Sequence, residues 1–236
     1  MTIAGGIISV VASDDGINVA GGDGSSTSEE RPGAGNFNET GGSNQLTITG
    51  GITTVNTGGD GLDANGSIAI SGGITLVDGP TDSGNGALDY DGTCEVTGGV
   101  LITAGSSGMA QFPSEGSTVG TVAMTFSSTQ AAGTLVNISD ASGKSIVSYT
   151  PGKAFSTISI SVPDLATGGS YILSTGGRDT GSVTSTLVQG GSYSGGTAVV
   201  SFTLNSTLTG LNESGATTIT NGMGGQGPGQ GGPGRR

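Results

Sequence analysis

The chain has 236 residues, including 50 glycines, and it contains neither histidine nor tryptophan. Glycine at this frequency without a three-residue period excludes collagen, and a hydrophobic content of 32% is too high for plain disorder. The formal net charge of −12 leaves no basic stripe that would attract nucleic acid.

The acidic residues are concentrated in the first part of the chain. Thirteen of the 18 acids lie in residues 1–100, against a single base there, Arg31. This distribution indicates either a bound metal ion or plain solubility. The single cysteine, Cys94, excludes an intramolecular disulfide, and no apolar run of about 18 residues predicts a membrane span. A signal peptide is absent, and Met1 is followed at once by a repeat, so we expect this start to be an artificial boundary.

Four repeats occupy residues 1–118, and each contains a Gly-Gly pair: Gly5-Gly6, Gly50-Gly51, Gly72-Gly73 and Gly98-Gly99. The pairs are 45, 22 and 26 residues apart, and we interpret residues 21–45 as an insertion loop in the first interval. Short apolar alternations flank each pair, so a period near 22 predicts one coil of a β-solenoid. We expect the side chains of Ile48, Ile68, Ile70, Cys94 and Val96 to point into its core.

From about residue 119 the repeat fades into longer alternating runs with polar turns. Residues 119–206 therefore predict an antiparallel β module that packs on the coils or continues them. Residues 207–236 are interpreted as a Gly/Pro-rich C-terminal tail. The predicted fold is all-β, a right-handed parallel β-helix with rungs of about 22 residues and an appended antiparallel β module. An antiparallel sandwich is the alternative, but it does not explain why Gly-Gly pairs and acids recur together.

Acidic turns follow the second strand of three repeats. Aligning them on Ile17, Leu62 and Leu88 places Asn18, Asp63 and Asp89 in one column, and Asn65 and Asp91 two positions further on. Upstream, Asp14 and Asp15 match Asp60 and approximately Asn85. Neighbouring strands lie about 4.8 Å apart, which suits oxygen ligands on opposite sides of one calcium ion. The alternative is that these residues are turn formers beside glycine.

Three segments carry a resemblance to a known family: NGALDYDGT from Asn85, ITAGSSGMAQFPS from Ile102 and FSSTQAAGTLV from Phe126. They resemble the carbohydrate-binding calcium β-helix family of cellulolytic anaerobes, which is similar to family-nine polysaccharide lyases, and the resemblance runs from about Ile3 to Leu204. It implies calcium ligation by the residues that match the family's acidic turns. These are Asp14, Asp15, Asp60, Asp63, Asp89 and Asp91, with Asn18, Asn65 and Asn85 as further candidates.

The resemblance also implies a bacterial protein, extracellular or at the cell surface, that binds pectin, cellulose or another acidic polysaccharide of plant cell walls. Tyr90 and Gln111 are candidate glycan contacts, and packing on the rung is the alternative role of Tyr90. Calcium-dependent lyases need a lysine or arginine base near the metal, and the repeats offer only Arg31, so we expect no catalysis. A filament or surface-layer subunit that stacks head to tail is the alternative function. A calcium-dependent lyase is the lesser alternative.

Overall fold

The computed structural model describes residues 1–19 and 44–219, and in this part of the chain all regular structure is β-strand. The repeats supply eleven strands: β1 (Thr2–Ile3), β2 (Ile7–Ala12), β3 (Ile17–Val19), β4 (Asn44–Ile48), β5 (Ile52–Thr57), β6 (Leu62–Ala64), β7 (Gly66–Ile70), β8 (Ile74–Asp78), β9 (Leu88–Tyr90), β10 (Cys94–Val96) and β11 (Val100–Gly105). The predicted insertion, residues 21–45, lies outside the described residues except for Asn44 and Gln45, which begin β4.

Consecutive strands of one repeat belong to three different sheets, and equivalent strands of successive repeats pair in parallel. One sheet has the order β1-β4-β7-β10, a second begins β2-β5-β8-β11, and a third is β3-β6-β9. The register is regular, because Ile17 pairs with Leu62 and Leu62 with Leu88, as the sequence alignment predicts. The repeats are therefore stacked on one another without a slip in the third sheet.

A narrow aliphatic core fills the space between these three sheets. The five residues predicted to point inward are all buried, with Ile68, Ile70, Cys94 and Val96 fully inaccessible and Ile48 1% exposed. Alternation of apolar and polar residues along short strands explains this, because successive side chains point to opposite faces.

Ten further strands follow the repeats: β12 (Thr121–Gln130), β13 (Val136–Asp140), β14 (Ser145–Tyr149), β15 (Phe155–Ser161), β16 (Ser170–Asp179), β17 (Ser182–Thr184), β18 (Leu187–Gln189), β19 (Tyr193–Thr203), β20 (Leu208–Asn212) and β21 (Gly215–Thr217). Four of them extend the second sheet, which reads β2-β5-β8-β11-β15-β12-β20-β21 in full. The other six form the sheet β17-β18-β14-β13-β16-β19, whose pairings are all antiparallel.

The two large sheets share a second core. Leu76, Val100 and Ile102 from the outer face of β8 and β11 pack with residues such as Ile138 and Leu173 of the six-stranded sheet. The strands after residue 118 thus continue a sheet of the repeats and also cover it. Residues 208–217, which the sequence places in the tail, form β20 and β21, and β20 pairs in parallel with β12.

Residues 106–119, here called the cap segment, cover the end of the stack at β9 and β10. The backbone amides of Ser114 and Thr118 donate to the carbonyls of Cys94 and Val96, at 2.6 and 3.0 Å. In the second sheet, β11 is the last strand of the repeats, and β15 pairs with its outer edge. No helix long and apolar enough to cross a membrane occurs in the described ranges.

Candidate functional site: an acidic column along three repeats

Five polar side chains follow one another along the third sheet and the turns that precede its strands. We call them the acidic column: Asp15, Asn18, Asp60, Asp63 and Asp89. The regular parallel register of β3, β6 and β9 produces it, since Asn18 pairs with Asp63 and Asp63 with Asp89. The apolar residues beside them, such as Leu62 and Leu88, are fully buried and hold the three strands against the core.

One half of the column is a ladder of carboxylates that accept from the backbone of the next repeat. The amide of Asp60 donates to Asp15 Oδ1 at 2.9 Å, and the amide of Gly86 donates to Asp60 Oδ1 at 2.6 Å. In the third repeat, Gly86 therefore occupies the place in this ladder that Asp15 and Asp60 occupy in the first two repeats. The sequence matched it approximately to Asn85, which is one residue away.

Asn18 connects the two halves of the column. Its amide nitrogen donates to Asp15 Oδ2 at 3.1 Å and to Asp63 Oδ2 at 2.5 Å. An amide between two carboxylates lowers their repulsion by supplying hydrogens to both. In the described part of the chain, no side-chain amide donates to both Asp63 and its next neighbour in register, Asp89.

Three carboxylates of the column, Asp60, Asp63 and Asp89, have raised pKa values. Burial raises the pKa of Asp63 to about 7, and the negative charges of Asp89, Asp15, Asp60 and Asp91 add to the effect. Burial also raises the pKa of Asp60 to about 6, against the lowering by the Gly86 amide. The pKa of Asp89 is raised as well, first by burial and then by Asp91 and Asp15. Within residues 1–19 and 44–219, every charge that acts on these three groups is negative, so this part of the chain supplies the column with no neutralising cation.

Gln111 of the cap segment closes the column at Asp89. Its amide nitrogen donates to Asp89 Oδ1 at 3.3 Å, and its Oε1 accepts from the amide of Tyr90 at 3.1 Å. Tyr90 donates its hydroxyl to the carbonyl of Phe112 at 2.6 Å. Both residues thus bind the cap segment to the stack, a role that the sequence did not indicate for Gln111.

The remaining predicted ligands lie at the solvent-facing margin. Asp14, Asn65 and Asp91 are exposed, and Asn85 is half-buried. Asp91 still acts electrostatically on Asp63 and Asp89, and Asp14 acts on Asp60. The structure therefore brings most of the predicted set within reach of one another, with Asn65 and Asn85 least involved.

The donor chemistry of the column suits a hard cation, because carboxylate and amide oxygens are the ligands that calcium prefers. Among residues 1–19 and 44–219, however, no group of three or more histidine, cysteine, aspartate or glutamate side chains is arranged to hold a metal ion. The oxygens available are partly engaged with amides, as Asp15, Asp60 and Asp63 are. Binding of an ion would thus require some of these side chains to turn.

A second acidic group, Asp78, has a different role. It accepts from the Tyr149 hydroxyl and from the Gly152 amide, both at 2.9 Å, and burial raises its pKa. The nearby Lys153 donates to the carbonyl of Thr57, at the end of β5. These contacts attach β14 of the six-stranded sheet, and the turn that follows it, to the repeats. The sequence does not predict this attachment.

Comparison with models of known protein families, with curated proteins and with solved structures finds no match to this chain.

Proposed function

We propose that this chain is an extracellular or cell-surface protein that binds acidic polysaccharide through calcium and does not cleave it. The observation that carries the proposal is the acidic column, where burial and mutual repulsion raise the pKa values of Asp60, Asp63 and Asp89 together. Carboxylates held in this way are stabilised by a cation.

The scaffold we propose is a right-handed parallel β-helix. Three sheets with parallel pairing between successive repeats support it, as does the recurrence of Gly-Gly at each turn between the first two strands. In such a fold every added repeat lengthens each column by one position. A column of oxygen ligands can therefore face an extended polysaccharide along its length.

The residues that would hold the ion are Asp15, Asp60, Asp63 and Asp89, with Asn18 and the exposed Asp14 and Asp91 at the margin. Bound calcium would let the column attract a uronate carboxylate that the column's own negative charge would otherwise repel. The parallel register of the strands fixes the spacing of the ligand oxygens. The core buries one side of the column, and the exposed residues at its margin leave the other side open to a ligand. Tyr90 and Gln111 remain proposed glycan contacts, and both also form hydrogen bonds that join the cap segment to the stack.

Cleavage by a lysine base is a second candidate, and one observation favours it. Burial lowers the pKa of Lys153, although Asp78 and Asp82 oppose the effect, and its amine contacts the repeats at Thr57. Binding without cleavage is better supported, because the charge of Lys153 is not among those that act on Asp60, Asp63 or Asp89. Ultraviolet absorbance of an unsaturated product from polygalacturonate, lost in Lys153→Met, would favour cleavage instead.

The proposal is tested by co-sedimentation with insoluble polygalacturonate and with cellulose, first in calcium and then in excess chelator. We expect binding that chelator abolishes and that Asp63→Asn and Asp89→Asn reduce at least about tenfold. Asp164→Asn is the matched control, because this acid is exposed in a turn and its charge is not among those that act on Asp60, Asp63 or Asp89.

Calcium should also raise the melting temperature of the unmodified chain and of Asp164→Asn, with a smaller rise in Asp63→Asn. Binding that persists in chelator would separate glycan recognition from the column. Calorimetric titration that detects no calcium binding would overturn the metal site itself.

A further inference from the structure

A cleft lies between the outer face of the repeats and the hairpin β17–β18 of the six-stranded sheet. Strands β2, β5 and β8 form its floor, and Tyr149 and the two residues that join β17 to β18 form its wall. Its volume is about 200 Å³, and it opens to solvent. The side chains on which the inference rests are those of Thr54, Asn56, Asp78, Tyr149, Ser185 and Thr186.

The floor of the cleft presents polar side chains because β5 alternates between two faces. Thr53 and Val55 of this strand are buried in the core of the repeats, whereas Thr54 and Asn56 line the cleft. Asn56 is exposed, and no hydrogen bond to another described residue engages its side chain. Its amide group can therefore both donate to a ligand and accept from one.

Asp78 is the one charged residue among the described residues that line the cleft. Its two oxygens accept from the Tyr149 hydroxyl and the Gly152 amide, both at 2.9 Å, and burial raises its pKa. Each carboxylate oxygen has a second lone pair, which can accept from a ligand hydroxyl. Lys153, whose charge acts on Asp78, donates to the carbonyl of Thr57 and does not line the cleft. A ligand carboxylate would thus meet an acid here and no base, which favours an uncharged ligand.

The rim of the cleft carries the one residue of the described ranges with a strained backbone. Ser185 has φ of 56°, the only positive value there at a residue other than glycine. Glycine adopts this left-handed backbone without strain, and it is a usual residue in two-residue hairpin turns such as this one. Strain of this kind is concentrated at functional sites, and Ser185 and its neighbour Thr186 are both exposed at the cleft.

We propose that this cleft binds a neutral saccharide. Ligand sites are concave, often lie between two parts of a protein, and combine apolar surface with a few convergent polar groups. Here the hydroxyls of Thr54, Ser185 and Thr186 and the amide of Asn56 accompany the aliphatic side chain of Leu76, and they match the hydroxyls of a sugar as donors and acceptors. The volume is below the roughly 300 Å³ at which drug-sized sites begin, so the cleft accommodates about one sugar ring. None of these residues belongs to the acidic column, so the inference goes beyond the calcium-dependent binding proposed above.

The experiment is a titration of the ¹⁵N-labelled full chain with cellobiose, followed by amide chemical shifts in excess chelator. Cellobiose carries no carboxylate and needs no calcium, so a negative result leaves the proposal for the acidic column unaffected. We expect shifts that saturate at the amides of Asn56, Asp78 and Thr186, whereas digalacturonate should produce none at these positions. Asn56→Ala should raise the dissociation constant for cellobiose at least about fivefold.

Two further variants separate a binding role from a structural one. Ser185→Gly relieves the backbone strain, so it should keep the fold intact and yet weaken cellobiose binding. Asn205→Ala, at an exposed asparagine in the loop between β19 and β20, is the matched control for Asn56→Ala and should leave the affinity unchanged. Cellobiose that shifts no amide of the cleft up to its solubility limit, equal shifts with digalacturonate, or unchanged affinity in Asn56→Ala or Ser185→Gly would each overturn the proposal.

Discussion

At the scale of single residues, the first glycine of the Gly-Gly pair lies against the backbone of the preceding repeat in the second, third and fourth repeats. A Cβ on Gly72 would stand 2.5 Å from the carbonyl oxygen of Thr49, and one on Gly98 would stand 2.4 Å from that of Ser71. Gly5 occupies the same position in the first repeat, where a Cβ would have no atom within 4 Å. The second glycines share this close approach, since a Cβ on Gly73 would stand 2.7 Å from the carbonyl oxygen of Gly51, and they also have a left-handed backbone, with φ of 80° at Gly73.

Replacement of the first glycine should therefore cost stability only where a repeat lies beneath it. We expect Gly72→Ala to lower the free energy of unfolding by about 1–3 kcal/mol, because backbone of two repeats must separate. Gly5→Ala should change it by less than about 0.5 kcal/mol. Denaturant titration of the two variants measures both values. Equal losses would mean that the glycine acts through the unfolded state and not through close approach.

The raised pKa values of the column predict an unusual pH dependence for the metal-free protein. The pKa values of Asp63, about 7, and Asp60, about 6, exceed the ordinary 3.8, so the folded state keeps protons that the unfolded state has lost. Stability from these groups is thus complete below about pH 4, and it falls as the pH rises through 6 and 7. In chelator the melting temperature should drop by a few degrees between pH 5 and pH 8.

The chain contains no histidine, so no imidazole titrates between pH 5 and pH 8 and obscures the effect of the column on the melting temperature. The pKa of Asp63 is higher than that of Asp60, so Asp63→Asn should flatten the pH profile and raise the melting temperature at pH 8. Asp164→Asn should leave the profile unchanged. A melting temperature that rises from pH 5 to pH 8 in chelator would contradict the electrostatic account of the column.

The column also illustrates what sequence can predict about a site. The pairing of Asn18, Asp63 and Asp89 follows from apolar residues at fixed spacing, since one aligned aliphatic residue per repeat sets the register of its neighbours. In the other half of the column, the sequence does not reveal that Gly86, and not Asn85, lies next to Asp60. The loop between β8 and β9 has its own length, and only the amide that Asp60 accepts from determines which residue occupies the position.

At the scale of secondary-structure elements, the cap segment ends the stack without forming a strand, and its side chains bond to the stack beside its backbone amides. The hydroxyls of Ser114 and Ser117 accept from the amides of Cys94 and Val96, at 2.9 and 3.0 Å. Both amides would otherwise form the open edge of β10. Serine hydroxyls thus replace a neighbouring strand where the repeats stop.

Removal of one capping hydroxyl should be measurable at the amide it binds. Ser117→Ala leaves the amide of Val96 buried without this acceptor, so we expect a loss of about 1–3 kcal/mol. Hydrogen exchange at Val96 should become faster. Ser128→Ala, on an exposed stretch of β12, is the control and should change neither quantity. Unchanged exchange at Val96 in Ser117→Ala would show that the backbone of the cap segment protects this amide by itself.

At the scale of the whole molecule, one sheet contains strands from both sides of residue 119, where the sequence predicts that an antiparallel module begins. The sequence changes there from repeats to long alternating strands, and composition cannot reveal that both kinds pair in one sheet. In the structure β11 pairs with β8 on one side and with β15 on the other. Pairing between strands more than fifty residues apart depends on packing of the whole chain, which local patterns do not encode.

This shared sheet predicts that the chain unfolds as a unit. The core that contains Leu76 and Ile102 of the repeats also contains Ile138 and Leu173 of the six-stranded sheet, so neither part can lose its structure without exposing the other. Calorimetry in chelator should give a single transition whose calorimetric and van't Hoff enthalpies agree. Tyr149→Phe, which removes the hydroxyl bonded to Asp78, should lower the midpoint of that transition without splitting it. Two transitions in the unmodified chain would mean that the stacked repeats hold together without the sheet that covers them, and that the pairing of β11 with β15 contributes little to their stability.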